Sequence, residues 1–233
     1  MRKLKFINIL CIVGFLIILN ACEDSSNFEN IIDPGDIKPI IKLTNTYTEV
    51  VIKNKKGEHV EIRDGAVYVN DKRMKSPNWL SSSYEVSMPV RPDSVYTFEI
   101  ILSNGDSYFA WIETPEINLY YIDIPDSQSH RSDFRIGWLE TDYRYPQELK
   151  IYWYDKMNLD SLAGSNSYNI EYPYKGEFII EKKKIKYSND EDHPINYARI
   201  YLFSRTEGVI SKEFLPGGSI SCELSSKRGI NIY

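Results

Sequence analysis

Apolar and polar residues alternate along most of this chain, and a period of two leaves the β-strand as the regular structure that gathers the apolar ones on one face. The clearest case is Val95-Tyr96-Thr97-Phe98-Glu99-Ile100-Ile101-Leu102-Ser103-Asn104-Gly105-Asp106-Ser107-Tyr108-Phe109-Ala110-Trp111. Two alternating runs joined at Asn-Gly predict a hairpin with a type I′ turn. Strand-like runs also cover 48–53, 66–69, 84–90, 95–103 and 107–113, then, after the break at Thr114-Pro115, 117–124, 134–140, 149–155, 167–172, 177–181, 195–204, 209–214 and 220–224. No stretch carries a convincing helical period. Spacing and turns predict an all-β protein of two β-sandwich domains in tandem, over 40–115 and 116–233.

The first residues differ from everything after them. Arg2, Lys3 and Lys5 precede an uninterrupted 11-residue apolar run, Ile9 to Leu19, too short to span a bilayer, which needs about 20 residues, but suited to the centre of a signal peptide over 1–21. Leu19-Asn20-Ala21-Cys22 resembles the bacterial lipobox, which implies cleavage after Ala21 and acylation of Cys22 through its sulfur. The following Glu23-Asp24-Ser25-Ser26 is similar to the acidic surface-export signal of Bacteroidota lipoproteins; the plainer reading is a polar linker. Residues 22–39, rich in Asn, Asp, Ser and Gly and carrying Pro34 and Pro39, read as a flexible tether. Loss of the signal peptide takes three basic groups, moving the formal net charge from −5 to −8. An acidic chain that is 42% hydrophobic is neither a disordered segment nor a basic nucleic-acid binder.

Cysteine use agrees with export. Cys11 leaves with the signal peptide and Cys22 is the expected lipid attachment site, so Cys222 has no disulfide partner; alternation in Ile220-Ser221-Cys222-Glu223-Leu224 places it in a core.

Two further resemblances concern the sandwiches. The segment 134–213 is similar to a fibronectin type III or immunoglobulin-like module, with Trp138 at the B-strand tryptophan position, Lys150-Ile151-Tyr152-Trp153-Tyr154 as strand C and Tyr197 as a corner tyrosine. It departs from that pattern at Arg199, where the family carries an apolar residue, while Ala198, Ile200 and Leu202 form the apolar face. The first domain, with Gly65-Ala66-Val67-Tyr68-Val69-Asn70, resembles the transthyretin-like or immunoglobulin-like modules of Bacteroidota surface lipoproteins.

Motifs for chemistry are missing. The chain has no Gly-x-Gly-x-x-Gly, no Gly-Lys-Ser/Thr, no Gly-x-Ser-x-Gly and no His-Glu-x-x-His, and His59, His130 and His193 are far apart. Ser188-Asn189-Asp190-Glu191-Asp192-His193 lacks the alternate-carboxylate spacing of a Ca²⁺ loop and reads as a solvated turn. Glu181-Lys182-Lys183-Lys184-Ile185-Lys186 reads as a lysine-protected edge strand rather than an anion site. The expectation is a protein without cofactor, metal or nucleotide, and not an enzyme.

The remaining signal is aromatic: 18 tyrosines and 4 tryptophans. Aromatic faces stack on the C–H faces of sugars and equally serve strands and protein interfaces. Trp138, Trp153 and Trp111, the last sharing a face with Phe109, are expected in cores. Trp79, in a polar loop, either packs back or binds a ligand, and the turns carrying Tyr143, Tyr145, Tyr172 and Tyr174 pose the same choice. Together these features predict a non-catalytic outer-membrane surface lipoprotein acting as a binding or assembly module for a protein or polysaccharide. The alternatives are a glycan-binding accessory lipoprotein of a polysaccharide-uptake system and a fimbrial anchor or subunit, whose paired-sandwich layout the chain resembles.

Overall fold

The computed structural model describes residues 27–78, 81–115, 122–138, 147–160, 162–170, 176–189 and 194–233. Among them the regular structure is all β, apart from two short 3-10 turns. The strands of the first half are β1 (Asn27–Glu29), β2 (Ile37–Leu43), β3 (Tyr47–Asn54), β4 (Val60–Ile62), β5 (Ala66–Val69), β6 (Lys72–Arg73), β7 (Tyr84–Ser87), β8 (Val95–Ile101) and β9 (Ser107–Glu113). Those of the second half are β10 (Ile122–Asp123), β11 (Ser127–Gln128), β12 (Phe134–Trp138), β13 (Gln147–Tyr154), β14 (Leu162–Ile170), β15 (Glu177–Ile180), β16 (Tyr197–Glu207), β17 (Val209–Ile210) and β18 (Ser219–Ile232).

One large sheet, ordered β14-β13-β16-β18-β2-β3-β7, runs the length of the molecule, and two smaller sheets pack on it. Over one end lies the five-stranded sheet β17-β9-β8-β5-β6, and over the other the three-stranded sheet β10-β12-β15. The strand alternation supplies two cores. Ile41, Val50, Ile52, Tyr84, Phe98 and Ile112 belong to the first, and Phe134, Ile136, Trp138, Ile151, Trp153 and Ile200 to the second. Trp153 is fully buried and its Nε1 donates to Asn166 Oδ1 at 2.8 Å, which satisfies the one polar atom the ring brings inside. The second unit sets the three strands β10-β12-β15 against β14-β13-β16-β18, with the two-residue β11 pairing in parallel at the end of β18, the arrangement of an immunoglobulin- or fibronectin type III-like sandwich.

The long strands β16 and β18 correct the expected boundary. Residues 209–224, read from the sequence as part of the second domain, join the first core: Phe214, Ile220, Cys222 and Leu224 are buried there, while Ile230 and Ile232, on the same face of β18, enter the second. At its start β18 pairs in parallel with β2, Ser219 opposite Ile40 and Cys222 opposite Leu43, while its other edge pairs with β16 from Glu207–Ser221 to Tyr197–Asn231. Where β2 ends, Asn45 continues its role. Asn45 Nδ2 donates to Ser225 O and Ser225 N–H donates to Asn45 Oδ1, both at 2.8 Å. A single strand therefore belongs to both sandwiches.

The segment expected as a tether is ordered from Asn27 onwards. β1 pairs in parallel with β4, Ile31 and Ile37 are buried, Ser103 N–H donates to Ile31 O at 2.8 Å, and Ile31 N–H donates to Ser103 Oγ at 3.0 Å. The polar residues that suggested a linker are punctuated by Phe28, Ile31, Ile32 and Ile37, and two of these reach the core.

Two turns exchange roles relative to the sequence reading. In the β8–β9 hairpin Gly105 has φ +88°, Gly105 N–H donates to Leu102 O at 3.0 Å and Leu102 N–H donates to Asp106 O at 2.9 Å. That is a three-residue loop ending on a left-handed glycine rather than a type I′ turn. The type I′ geometry occurs instead at Asn70-Asp71, with φ of +45° and +64° between the paired Val69 and Lys72. The lysine run also differs, because Lys182–Lys184 forms a 3-10 turn, not an edge strand. It fans the three side chains into solvent, with Lys183 paired to Glu181 at 2.6 Å.

Candidate functional site

Cys22, Trp79, Tyr143, Tyr145, Tyr172 and Tyr174 all lie outside the described residues, as do Asp190 to His193. Among the described residues no group of three or more His, Cys, Asp or Glu side chains is placed to hold a metal ion. His130 acts as a clasp: its Nδ1 meets Tyr233 O at 2.6 Å and its ring stacks on Tyr187 at 4.1 Å. Cys222 is fully buried, and burial pushes its thiol pKa to about 12.

The surface that stands apart is the outward face of the five-stranded sheet. On β9 the inward set is Ala110 and Ile112, which turns Phe109 and Trp111 outward, 52% and 48% exposed. This corrects the expectation that Trp111 lies in a core. Phe109 and Trp111 do share a face, but so do Ser107 and Glu113, and that polar company was the signal in the sequence that the face is wet. On β8 the inward set is Tyr96, Phe98 and Ile100, so Val95, Thr97 and Glu99 point outward.

Register assembles these residues into rows across the sheet. Trp111 sits between Val209 of β17 and Thr97 of β8, and Phe109 lies opposite Glu99, which lies opposite Tyr68. Val209 and Val95 are 51% and 58% exposed, so four large apolar side chains share one continuous wet surface. Phe109 and Trp111, two residues apart on one strand, stand about 6.8 Å from each other. Beside them a depression of about 460 Å³ is lined by Tyr68, Asn70, Asp71, Thr97, Glu99 and Phe109, together with Val95. Its rim is fixed: Asn70 N–H donates to Thr97 O at 2.9 Å and Thr97 N–H donates to Asn70 Oδ1 at 2.8 Å, stapling the type I′ turn to β8. Its floor carries the Glu99 carboxylate, which accepts one bond through Oε1 from Ser107 Oγ at 2.7 Å.

A second aromatic face, the outer side of β13 and β16, is satisfied from within. Tyr152 meets Tyr201 edge-on at 5.4 Å, Tyr201 stacks on Phe203 at 5.9 Å, Lys150 lies 4.8 Å above Phe203, and Arg199 covers Tyr154 at 5.2 Å. Arg199 is thus the outward partner of a tyrosine, and Ala198, Ile200 and Leu202 fill the core as the alternation predicts. These side chains are half-buried and hold each other.

No family model matches the chain, and no curated protein matches it. Among solved structures it is similar to the chicken CNTN1 FN1–FN3 domains, at 11% identity and TM-score 0.25, covering 86% of this chain and 66% of that one. It is also similar to fibronectin(III)-like modules of Clostridium thermocellum CbhA, at 10% identity and TM-score 0.28, covering 83% and 88%. A third is Tp47, the 47-kilodalton lipoprotein of Treponema pallidum, at 12% identity and TM-score 0.32, covering 86% and 53%. The chain spans just under two thirds of the chicken structure. At such TM-scores the likeness adds nothing to the strand order already described.

Proposed function

We propose that this protein is a non-catalytic binding module, held on the outer membrane by acylated Cys22 and facing the cell exterior, that recognises its partner with the outward face of the five-stranded sheet. The supporting observation is the clustering of Val95, Phe109, Trp111 and Val209 on one wet surface. Exposed apolar residues scattered singly need no explanation, but a contiguous aromatic patch marks an interaction surface. Covering the exposed half of each aromatic ring removes about 100 Å² from water, roughly 2 to 3 kcal/mol at 25 cal/mol per Å². The lipobox-like Leu19-Asn20-Ala21-Cys22 and the acidic residues after it support the anchor and its orientation.

The test is occupancy in the cell. In a Thr97→Cys variant the introduced thiol lies on the face, and the native Cys222 is buried and silent. A maleimide should label Cys at 97 several-fold more slowly on intact cells than on the purified protein, and should label a Lys156→Cys control equally in both. Equal rates at position 97 refute the reading, and a Cys22→Ser protein that still sediments with membranes refutes the anchor.

One observation favours an assembly role as well. β14 ends the large sheet, and its sequence Leu-Ala-Gly-Ser-Asn-Ser-Tyr-Asn-Ile carries no charge and no proline, so beyond the irregularity at Ala163 and Lys186 beside Gly164, the stretch from Ser165 to Ile170 is, among the described residues, an edge that its own side chains do not protect. Strand addition there predicts concentration-dependent oligomers in sedimentation. A strictly monomeric protein at high concentration excludes it.

A further inference from the structure

We infer that the outward face of the five-stranded sheet takes a neutral polysaccharide, whose sugar rings stack on Trp111 and Phe109 and whose hydroxyls bond the polar floor beside them. This rests on the reading of that face as the recognition surface. The composition of the face selects the ligand. A protein partner that dried this surface would bury the Glu99 carboxylate, which lies between Phe109 and Tyr68 with only the Ser107 hydroxyl bonded to it among the described residues. An ionised carboxylate buried without donors is strongly unfavourable, and the centres of protein interfaces are correspondingly depleted of charge. A polyol has no such difficulty. It carries apolar C–H faces for the rings and O–H donors for carboxylate oxygens, and it reaches both at once because the aromatic residues and the acceptors alternate along the rows.

The acceptors are numerous. Beside Glu99 stand Asp71 on the turn and the hydroxyls of Thr97 and Tyr68, all around a depression whose 460 Å³ falls in the usual range of small-ligand sites. The charge of this floor also decides against acidic polymers. Glu99 and Asp71 line it while no cation does; Arg73, opposite Tyr68 on β6, and Arg91, beside Asn70 and Val95 in the next depression, stand at its margin. A uronate or sulfated chain would meet like charge where a neutral chain meets hydrogen-bond acceptors. The turn that presents Asn70 and Asp71 is bonded to β8 from both sides, so little ordering is required on binding.

The experiment uses the full chain in lauryldimethylamine oxide, a detergent without a sugar headgroup, titrated calorimetrically with laminarin, mannan, dextran, galactan and xyloglucan, and with polygalacturonate and hyaluronan as acidic counterparts. The variants are Trp111→Ala, Phe109→Ala and Glu99→Gln; all three sites are on the surface, and circular dichroism checks each fold. Saturable binding of at least one neutral polymer, weakened tenfold or more by each aromatic substitution and severalfold by E99Q, supports the inference. It is overturned by binding that survives both aromatic substitutions, by a preference for the acidic polymers, or by no binding of any neutral polymer. In that last case, slowed labelling at position 97 on cells would leave the face a recognition surface for a protein, whereas fast labelling would remove both readings.

Discussion

Gly208 is where the chain leaves β16 of the large sheet and enters β17 of the small one, and it is the position at which one methyl group should do the most damage. Its N–H donates to Ile220 O at 3.0 Å, holding it against β18. A Cβ placed there would lie 2.3 Å from Trp111 O, 2.7 Å from Ile112 Cβ and 2.9 Å from Ile220 Cγ2. Ordinary contact begins about 1 Å further out, and the first obstacle is a backbone carbonyl that no rotamer change moves. β9 would have to shift as a unit, yet it is paired along its whole length with β8. Overpacking of this kind costs about 1–3 kcal/mol, and the three-sided enclosure puts Gly208→Ala at the upper end. With a urea m-value of about 2 kcal/mol/M, the unfolding midpoint of residues 27–233 should drop by about 1.5 M. Because β9 carries Trp111 and β17 carries Val209, ligand affinity should fall with it. The comparison is Gly57→Ala, where no atom lies within 4 Å and the only cost is the φ of +84°, about 1 kcal/mol. A Gly208→Ala midpoint within 0.3 M of the parent, or above that of Gly57→Ala, would refute the reasoning.

Other consequences can be checked with the same material. Cys222, the single thiol left in residues 27–233, should resist iodoacetamide at pH 8 for hours and react at once in 6 M urea; labelling of the native protein within minutes, read by mass spectrometry, would contradict its burial. Hydrogen bonds from Ser81 and Tyr47 hold the Glu85 carboxyl below its ordinary value of 4.5; for Glu148 burial acts upward, but hydrogen bonds from Ser167 and Arg205 prevail and lower it. Native carboxyls that bind protons more weakly than unfolded ones contribute stability that is complete above pH 4.5 and is lost as pH falls through their folded values. The Glu85→Gln, Glu148→Gln double variant should therefore show a flatter midpoint between pH 5 and pH 3, and an unchanged slope would remove both carboxyls as the cause. Asn45→Ala leaves the Ser225 N–H without its partner where β18 passes between sandwiches, which costs about 1–3 kcal/mol, and Asn45→Asp, which keeps the acceptor, should recover part of the lost midpoint. Since β18 belongs to both cores, urea unfolding followed by tryptophan fluorescence and by far-ultraviolet circular dichroism should coincide in one transition; two separated midpoints would mean that the shared strand does not couple them.

Much of this architecture can be read one segment at a time. The β5 and β9 spans match the alternating runs 66–69 and 107–113, and the pairs of faces on β8, β16 and the start of β18 follow from alternation alone. Local pattern also misleads in identifiable ways. Asn104-Gly105 has the residues of a type I′ turn, yet Ser103 is bonded to Ile31 on both sides and the Asn104 side chain bonds Asp106, so a longer loop wins. The recognition face is hidden in the sequence for a related reason: an aromatic pair such as Phe109 and Trp111 suggests burial, while the polar Ser107 and Glu113 on either side of it place the same face in water. Tyr68, Thr97 and Glu99 gave no signal of their own, because a strand residue becomes part of a site only when register sets it beside others.

The order of residues alone thus sets the period: which residues share a face, and that no helix competes among the described residues. Which face of β9 turns inward was decided by the tertiary structure, because Phe109 with Trp111 and Ala110 with Ile112 are both apolar pairs until a second sheet covers one of them. The same holds for the passage of β18 from one sandwich to the other. Its partners β2 and Asn45 lie about 180 residues away in the chain, and a contact across such a distance is fixed by the packing of both cores together rather than by anything the strand carries in its own sequence.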